Sequence, residues 1–334
     1  MKPYLVDVPV LVHVWCRPQV QKRTFEPIRQ ARPSILFLSS DGGRNEEEWE
    51  KIRESRKIVE EGIDWDCTVY KLYQTENQGM YTMGSLLLKF VFEHVDRVVE
   101  MEDDILADPS FFRFCAELLE RYKDDQRVLS ISGENRLGIY EESTADYMFG
   151  YGYTTWGFAY WKRSYALEGD TAWMKDPHIF QVLKKILTPG RMRDVESVRD
   201  TGNCSNAHKP GTEFYWGIAP RLLNQMTIYP KYNLCTSIGA TDDAAHSVDI
   251  KKLDKWNRAK FERKVYACPE PITHMDYVME DLLFKERCVK NAGSPVRNYL
   301  GLWITRFKRL RYGDGKVLWN AFVQKHIKHT RWEN

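Results

Sequence analysis

Glu102, Asp103 and Asp104 stand side by side in RVVEMEDDIL, directly after an apolar run. Adjacent carboxylates repel one another unless water, a proton or a cation compensates them. In an extended turn neighbouring side chains point opposite ways. One carboxylate can then accept hydrogen bonds from sugar hydroxyls while the next holds a hard divalent cation. Mg²⁺ and Mn²⁺ take oxygen ligands and usually complete their shell with water and substrate phosphates. Held there, such a cation neutralises a departing diphosphate. The competing reading of EDD is an exposed acidic turn leading into a helix capped by Asp108. Arg17 in VWCRP and Asp41 in SSDGGR also follow apolar runs. Their alternatives are a salt-bridging arginine and a turn-forming aspartate beside Gly42 and Gly43.

The elements that would position these residues alternate in type. VPVLVHVW (8–15), SILFLSS (34–40), CTVYKLY (67–73) and RVVEM (97–101) read as strands. Helical patterns lie between them, near VQKRTFEPIRQ, over EEEWEKIRESRKIVEEG (46–62) and over MGSLLLKFVFEHV (83–95), the last as a buried helix. Pro109 at the first turn opens another helix over SFFRFCAELLERY. Such alternation predicts an α/β fold with a mostly parallel sheet covered on both faces. In open sheets of this kind ligands bind outside the carboxyl ends of the strands. Arg17, Asp41 and the triple acid are therefore expected at one edge.

Beyond residue 127 the pattern changes. VLSISGEN suggests a further strand, and TIYPKYNLC (227–235) a return to the sheet. YGYTTWGFAYW (151–161) reads as a binding surface rather than regular structure, and the polar stretch 189–212 as a mobile loop. Residues 253–334 read as a basic helical extension.

Bulk properties narrow the class. The 334 residues are 43% hydrophobic and 29% charged, rich in aromatics, and suited to a globular domain of ordinary size. MKPYLVDVPV has no apolar leader and no run reaches membrane-spanning length, which predicts a cytoplasmic protein. Seven scattered cysteines without C-x-x-C spacing predict free thiols. Net charge is +2, yet residues 251–334 hold nineteen Lys/Arg against nine Asp/Glu. That imbalance points to an anionic partner for the tail. Leu300, Trp303, Ile304, Phe307 and Leu310 recur there at helical spacing among Arg306, Lys308, Arg309 and Arg311. Two readings stay open: a helix lying on an anionic membrane, or one packed on the body with its charges in water. The acidic first 250 residues argue against nucleic acid as partner.

RVVEMEDDILADPSFFRFCAELLERY resembles the metal-binding region of GT-A glycosyltransferases. Within that fold the chain resembles N-acetylglucosaminyltransferase I and its bacterial relatives in surface-polysaccharide synthesis. The likeness covers about residues 8–250, in the order VWCRP, SSDGGR, EDD, DPSFF and TEFYWGIAPRLLNQMTIYPKYNLCTSIGATDDAAHS. It implies a GT-A catalytic domain over residues 1–252, with a donor half (1–126) and an acceptor half (127–252), followed by the helical extension. It also implies a nucleotide-sugar donor, UDP-linked, a cofactor Mn²⁺ or Mg²⁺, and an inverting transfer to a saccharide or lipid-linked saccharide. Carried over, Asp104 would bind the metal, Asp103 the ribose or the metal's water shell, and Glu102 the donor sugar. Arg17 and Asp41 would hold the nucleotide.

Inversion needs a base for the acceptor hydroxyl. Glu213, before Phe214, Tyr215 and Trp216, is the candidate; relatives more often carry Asp there. Asp242 and Asp243 are rivals, and a carboxylate merely favoured by a helix N-terminus is the alternative. His246 would contact the metal or diphosphate, or be structural. Trp156 would stack on an acceptor sugar, or simply pack in the core. Arg191, Arg193 and Lys209 would close over the diphosphate, or be solvated loop charge. A sugar nucleotidyltransferase is the second enzyme class, but strand one lacks its glycine-rich loop. A non-catalytic nucleotide- or nucleic-acid-binding module is the third.

Overall fold

The computed structural model describes residues 1–165, 168–205, 208–241, 249–315 and 319. Asp242, Asp243 and His246 lie outside the described residues. The chain begins β1 (Val6–His13), α1 (Pro18–Ala31), β2 (Pro33–Ser40), α2 (Glu46–Gly62), β3 (Thr68–Tyr73), α3 (Met80–Phe92) and β4 (Arg97–Met101). Local chemistry sets these bounds. Pro18 opens α1 with its φ already helical, and the Asn45 side chain caps α2 by accepting from the Glu48 amide. There follow β5 (Ile105–Ala107), α4 (Ser110–Arg121), β6 (Val128–Ser132), β7 (Tyr147–Gly150) and β8 (Phe158–Trp161). The next elements are α5 (Pro177–Ile186), α6 (Pro189–Thr201), α7 (Thr212–Trp216), α8 (Ala219–Leu222), β9 (Met226–Pro230) and β10 (Cys235–Ser237). The described chain ends with α9 (Lys255–Arg258), α10 (Leu282–Ala292) and α11 (Pro295–Arg311).

Eight strands form one mixed sheet in the order β3-β2-β1-β4-β8-β6-β9-β7, with only β8 and β7 running against the other six. One face carries Val8, Val10, Val12, Leu36, Leu38 and Val99 and is covered by Phe25 and Ile28 of α1, Val59 of α2 and the phenylalanines of α4. The opposite face carries Leu11, Phe37, Val98 and Tyr160 and is covered by Leu87 and Val91 of α3 and Trp216 of α7. This is the two-sided α/β layering that alternating strands and helices dictate. A third cluster joins α5, α6 and α7 through Phe180, Leu183, Val195 and Phe214.

Four expectations need correction. Within YGYTTWGFAYW, Phe158–Trp161 is the central strand β8, wedged antiparallel between β4 and β6 and buried throughout. A strand buried on both faces reads as an unbroken apolar run, which hides its period. Residues 189–201 are helix α6 rather than a loop: Thr188 caps it, and Met192, Val195 and Val198 bury one narrow stripe. Three apolar residues among ten polar or small ones left no clear period. Helix α3 is only half buried, along Met83, Leu87 and Val91, because a single stripe meets the sheet.

The tail is the fourth. Residues 259–281 form no helix, and Cys268 and Ile272 enter the core of the body. Asp146 and Thr273 exchange hydrogen bonds of 2.9 and 2.7 Å, and Arg263 donates to Glu134 at 3.0 Å. Residues beyond 252 thus contribute to the core of the body. Among the described residues no helix is long and apolar enough to cross a membrane.

Candidate functional site

Strand order locates the crevice. After β1 the chain winds outward through β2 and β3, then crosses back so that β4 lies on the other side of β1. The β1/β4 junction is thus a switch point, where diverging connections leave room above the carboxyl ends of the strands. Arg17 follows β1 and Glu102–Asp104 follow β4, so both arrive at this junction.

Their contact is direct. The buried Arg17 guanidinium donates to both oxygens of Asp103, at 2.9 Å from Nε and 2.6 Å from Nη2. It also donates to Asp104 Oδ2 at 3.4 Å and to the Gly239 carbonyl at 3.5 Å. A planar fork on a carboxylate is the strong, orienting form of ion pair. Thr24 Oγ1 of α1 fixes the same turn by donating to the Asp103 carbonyl at 3.1 Å.

The far wall comes from a small second sheet. β5 begins directly after the acidic turn and pairs antiparallel with β10, Ile105 opposite Ser237. That pairing carries the chain after β10 past Asp104, where the Ile238 amide donates to the Asp104 carbonyl at 2.9 Å. A Cβ on Gly239 would lie 1.7 Å from Asp104 Oδ2, so only glycine allows this approach.

Electrostatics divide the three acids. Asp103 is clamped. Asp104 is raised above the usual carboxylate range, first by burial and then by its Asp103 neighbour, with Arg17 opposing. Glu102 is exposed, with its carboxyl partly desolvated by the surrounding turn. That desolvation, together with Glu100, Asp104 and Asp103, pushes it up to about 7, against the pull of His13. Asp104 and Glu102 are thus less fully compensated than Asp103, which takes both branches of the Arg17 fork. Among the described residues no group of three or more His, Cys, Asp or Glu is placed to hold a metal ion. The donors present instead fit a hard cation held by one carboxylate, Asp104, with its other positions left to water and ligand oxygens.

His13 and Glu100 were not singled out from sequence. His13 Nε2 lies 2.8 Å from Glu100 Oε1, and Tyr160 donates to Glu100 Oε2 at 2.5 Å. Burial alone would lower His13, but the Glu100 hydrogen bond and the charges of Glu100, Glu102 and Asp103 outweigh it and hold it at about 9. Glu134, at the carboxyl end of β6, is a second unanticipated buried acid; it accepts from Arg263, Arg136 and Thr154. Polar residues on otherwise apolar strands were the available signal for His13 and Glu100. For Glu134, within SGEN, no local signal exists because its partners are distant in sequence.

Asp41 follows β2, the parallel neighbour of β1, and so lies at the same carboxyl edge of the sheet. Asp41 spends its carboxylate on a turn: it accepts from the amides of Gly42, Gln78 and Gly79 at 2.8–3.0 Å and from Asn77 Nδ2 at 3.2 Å. Glu213 is exposed in the first turn of α7, and its charge adds to the burial that raises the Tyr81 and Tyr153 hydroxyls. Arg191 fixes that corner, donating to the Glu213 carbonyl at 3.3 Å and to the Tyr153 hydroxyl at 2.7 Å. Arg193 and Lys209 are exposed. Trp156 is half-buried with its ring 5.5 Å from that of Phe261, which is core-type packing. No protein-family model matches the chain, and no curated protein is significantly similar to it.

Proposed function

We propose that the protein is a metal-dependent glycosyltransferase of GT-A type, taking a sugar from a nucleotide-sugar donor, UDP-linked, to a saccharide or lipid-linked saccharide acceptor with inversion. The reading rests on one observation above all: Arg17, Asp103 and Asp104 meet at the β1/β4 switch point, roofed by Gly239. A diphosphate is the ligand such a site suits, since it brings the anionic oxygens that an under-compensated cation position needs. The resemblance of the EDD region to GT-A enzymes supports the same assignment.

In this reading Asp104 holds Mn²⁺ or Mg²⁺, which when bound supplies Lewis-acid neutralisation of the leaving diphosphate. Asp103, oriented by Arg17, accepts hydrogen bonds from ribose hydroxyls or metal-bound water. Glu102 accepts from the donor sugar. Arg17 keeps the carboxylate pair aligned while limiting its net charge. Glu213 takes the proton from the acceptor hydroxyl; its exposure at the first turn of α7 leaves it accessible to an incoming sugar. Asp41 acts indirectly, by fixing the 77–79 turn.

Titration calorimetry with UDP, GDP and CMP, with and without Mn²⁺, tests this. A nucleoside diphosphate should bind more tightly with Mn²⁺, and Asp104→Ala should lose that enhancement. Glu213→Gln should keep donor binding yet lose transfer. Metal-independent binding throughout would overturn the reading.

A further inference from the structure

Helix α11 sits on the protein the wrong way round. An ordinary surface helix buries its apolar stripe and exposes its charges. Here the buried side is small and polar. Gly301 is buried, and a Cβ there would stand 3.1 Å from the Asp254 carboxylate. Four residues on, Thr305 Oγ1 donates to Asp254 Oδ2 at 2.9 Å and accepts from the Asp254 amide at 3.0 Å. Lys308 Nζ donates to the Leu253 carbonyl at 2.8 Å. Positions 301, 305 and 308 lie one helical turn apart and define the docked face.

The opposite face is apolar. Val296, Tyr299, Leu300, Trp303, Phe307 and Leu310 follow the spacing of three and four that makes one stripe, and each leaves more than half its surface exposed. Arg306 and Arg311 flank it, both exposed, with the Arg306 guanidinium 5.4 Å from the Trp303 ring centre. Over its seventeen residues α11 carries five Lys/Arg and no Asp/Glu.

We propose that this face docks the protein on an anionic lipid bilayer. Trp303, Phe307 and their apolar neighbours would enter the boundary between headgroups and acyl chains, with Arg306 and Arg311 among the lipid phosphates. Charge decides the occupant. An isologous pairing of two copies through this face would bring Arg306 and Arg311 of one helix near the same two residues of its partner, with no acidic residue in either helix to offset them. An anionic bilayer complements those charges, and tyrosine and tryptophan suit its interface. The proposal stands whether or not the transferase reading holds.

Flotation of the full chain with neutral phosphatidylcholine vesicles and with mixed phosphatidylcholine/phosphatidylglycerol vesicles tests it. The protein should float with the anionic vesicles only, and less in high salt. Trp303→Ser and Phe307→Ser remove exposed side chains and should each weaken partitioning by roughly tenfold. The Arg306→Ser, Arg311→Ser variant should lose the preference for anionic vesicles; circular dichroism checks that each variant is folded. Failure to float with phosphatidylglycerol would overturn the proposal, as would undiminished flotation of the Trp303→Ser, Phe307→Ser variant. A concentration-dependent dimer without flotation, seen by sedimentation and abolished in that variant, would assign the face to a second copy instead.

Discussion

Arg17 is the residue on which the acidic turn depends. It is buried and forks onto Asp103, so its removal leaves two partly buried carboxylates side by side. Arg17→Met should cost about 3–5 kcal/mol, the usual penalty for orphaning a buried charge, read as a lowered denaturation midpoint. The His13–Glu100 pair makes a pH prediction. His13 is raised from its ordinary 6.5 to about 9, so its contribution is complete below about 6.5 and lost as pH rises through about 9. Denaturation across that window should show stability falling with pH, and Glu100→Gln should flatten the dependence. At this scale the acids and Arg17 were legible because their types are unusual at strand ends. That Arg17 would form a salt bridge was one of two readings; its partner, Asp103, is 86 positions away, and only the fold brings them to 2.6 Å.

Elements carry geometry that no single side chain supplies. The pairing of β5 with β10 presses the chain after β10 against the acidic turn, and Gly239 is the point of contact. Gly239→Ala must displace either the Asp104 carboxylate or the loop. Mn²⁺-dependent nucleotide binding should fall while the melting temperature drops little, because the strained contact lies at the rim of the fold rather than in its core. Neither strand was expected, since three residues are too few for a periodic signal. The four parallel strands and α2 were readable from their patterns. Helix α6 and strand β8 were not, because their burial comes from neighbours: α6 from the α5/α7 cluster, β8 from a place between β4 and β6.

At the scale of the whole molecule, the segment after 258 returns across the body before the chain reaches α10 and α11. Ile272 sits in the main core, so Ile272→Ala should cost about 2–5 kcal/mol and lower one cooperative unfolding transition rather than a separate one. Charge is unevenly shared between the acidic body and the basic tail, and α11 turns that imbalance outward together with an apolar stripe.

Residue types and their order along the chain were enough to establish an α/β protein with acids at a strand end and a basic amphipathic tail. Local propensity and period determine such things, because they act over neighbours in sequence. Tertiary structure alone decided which charges meet, which turn claims Asp41, and which side of α11 faces the body. Asp41 could have met a ligand or its own loop, and the position of the 77–79 turn settled its contacts. The stripe on α11 reads identically whether it is buried or exposed; the small residue at 301 and its seat on Asp254 are what turned it to the solvent.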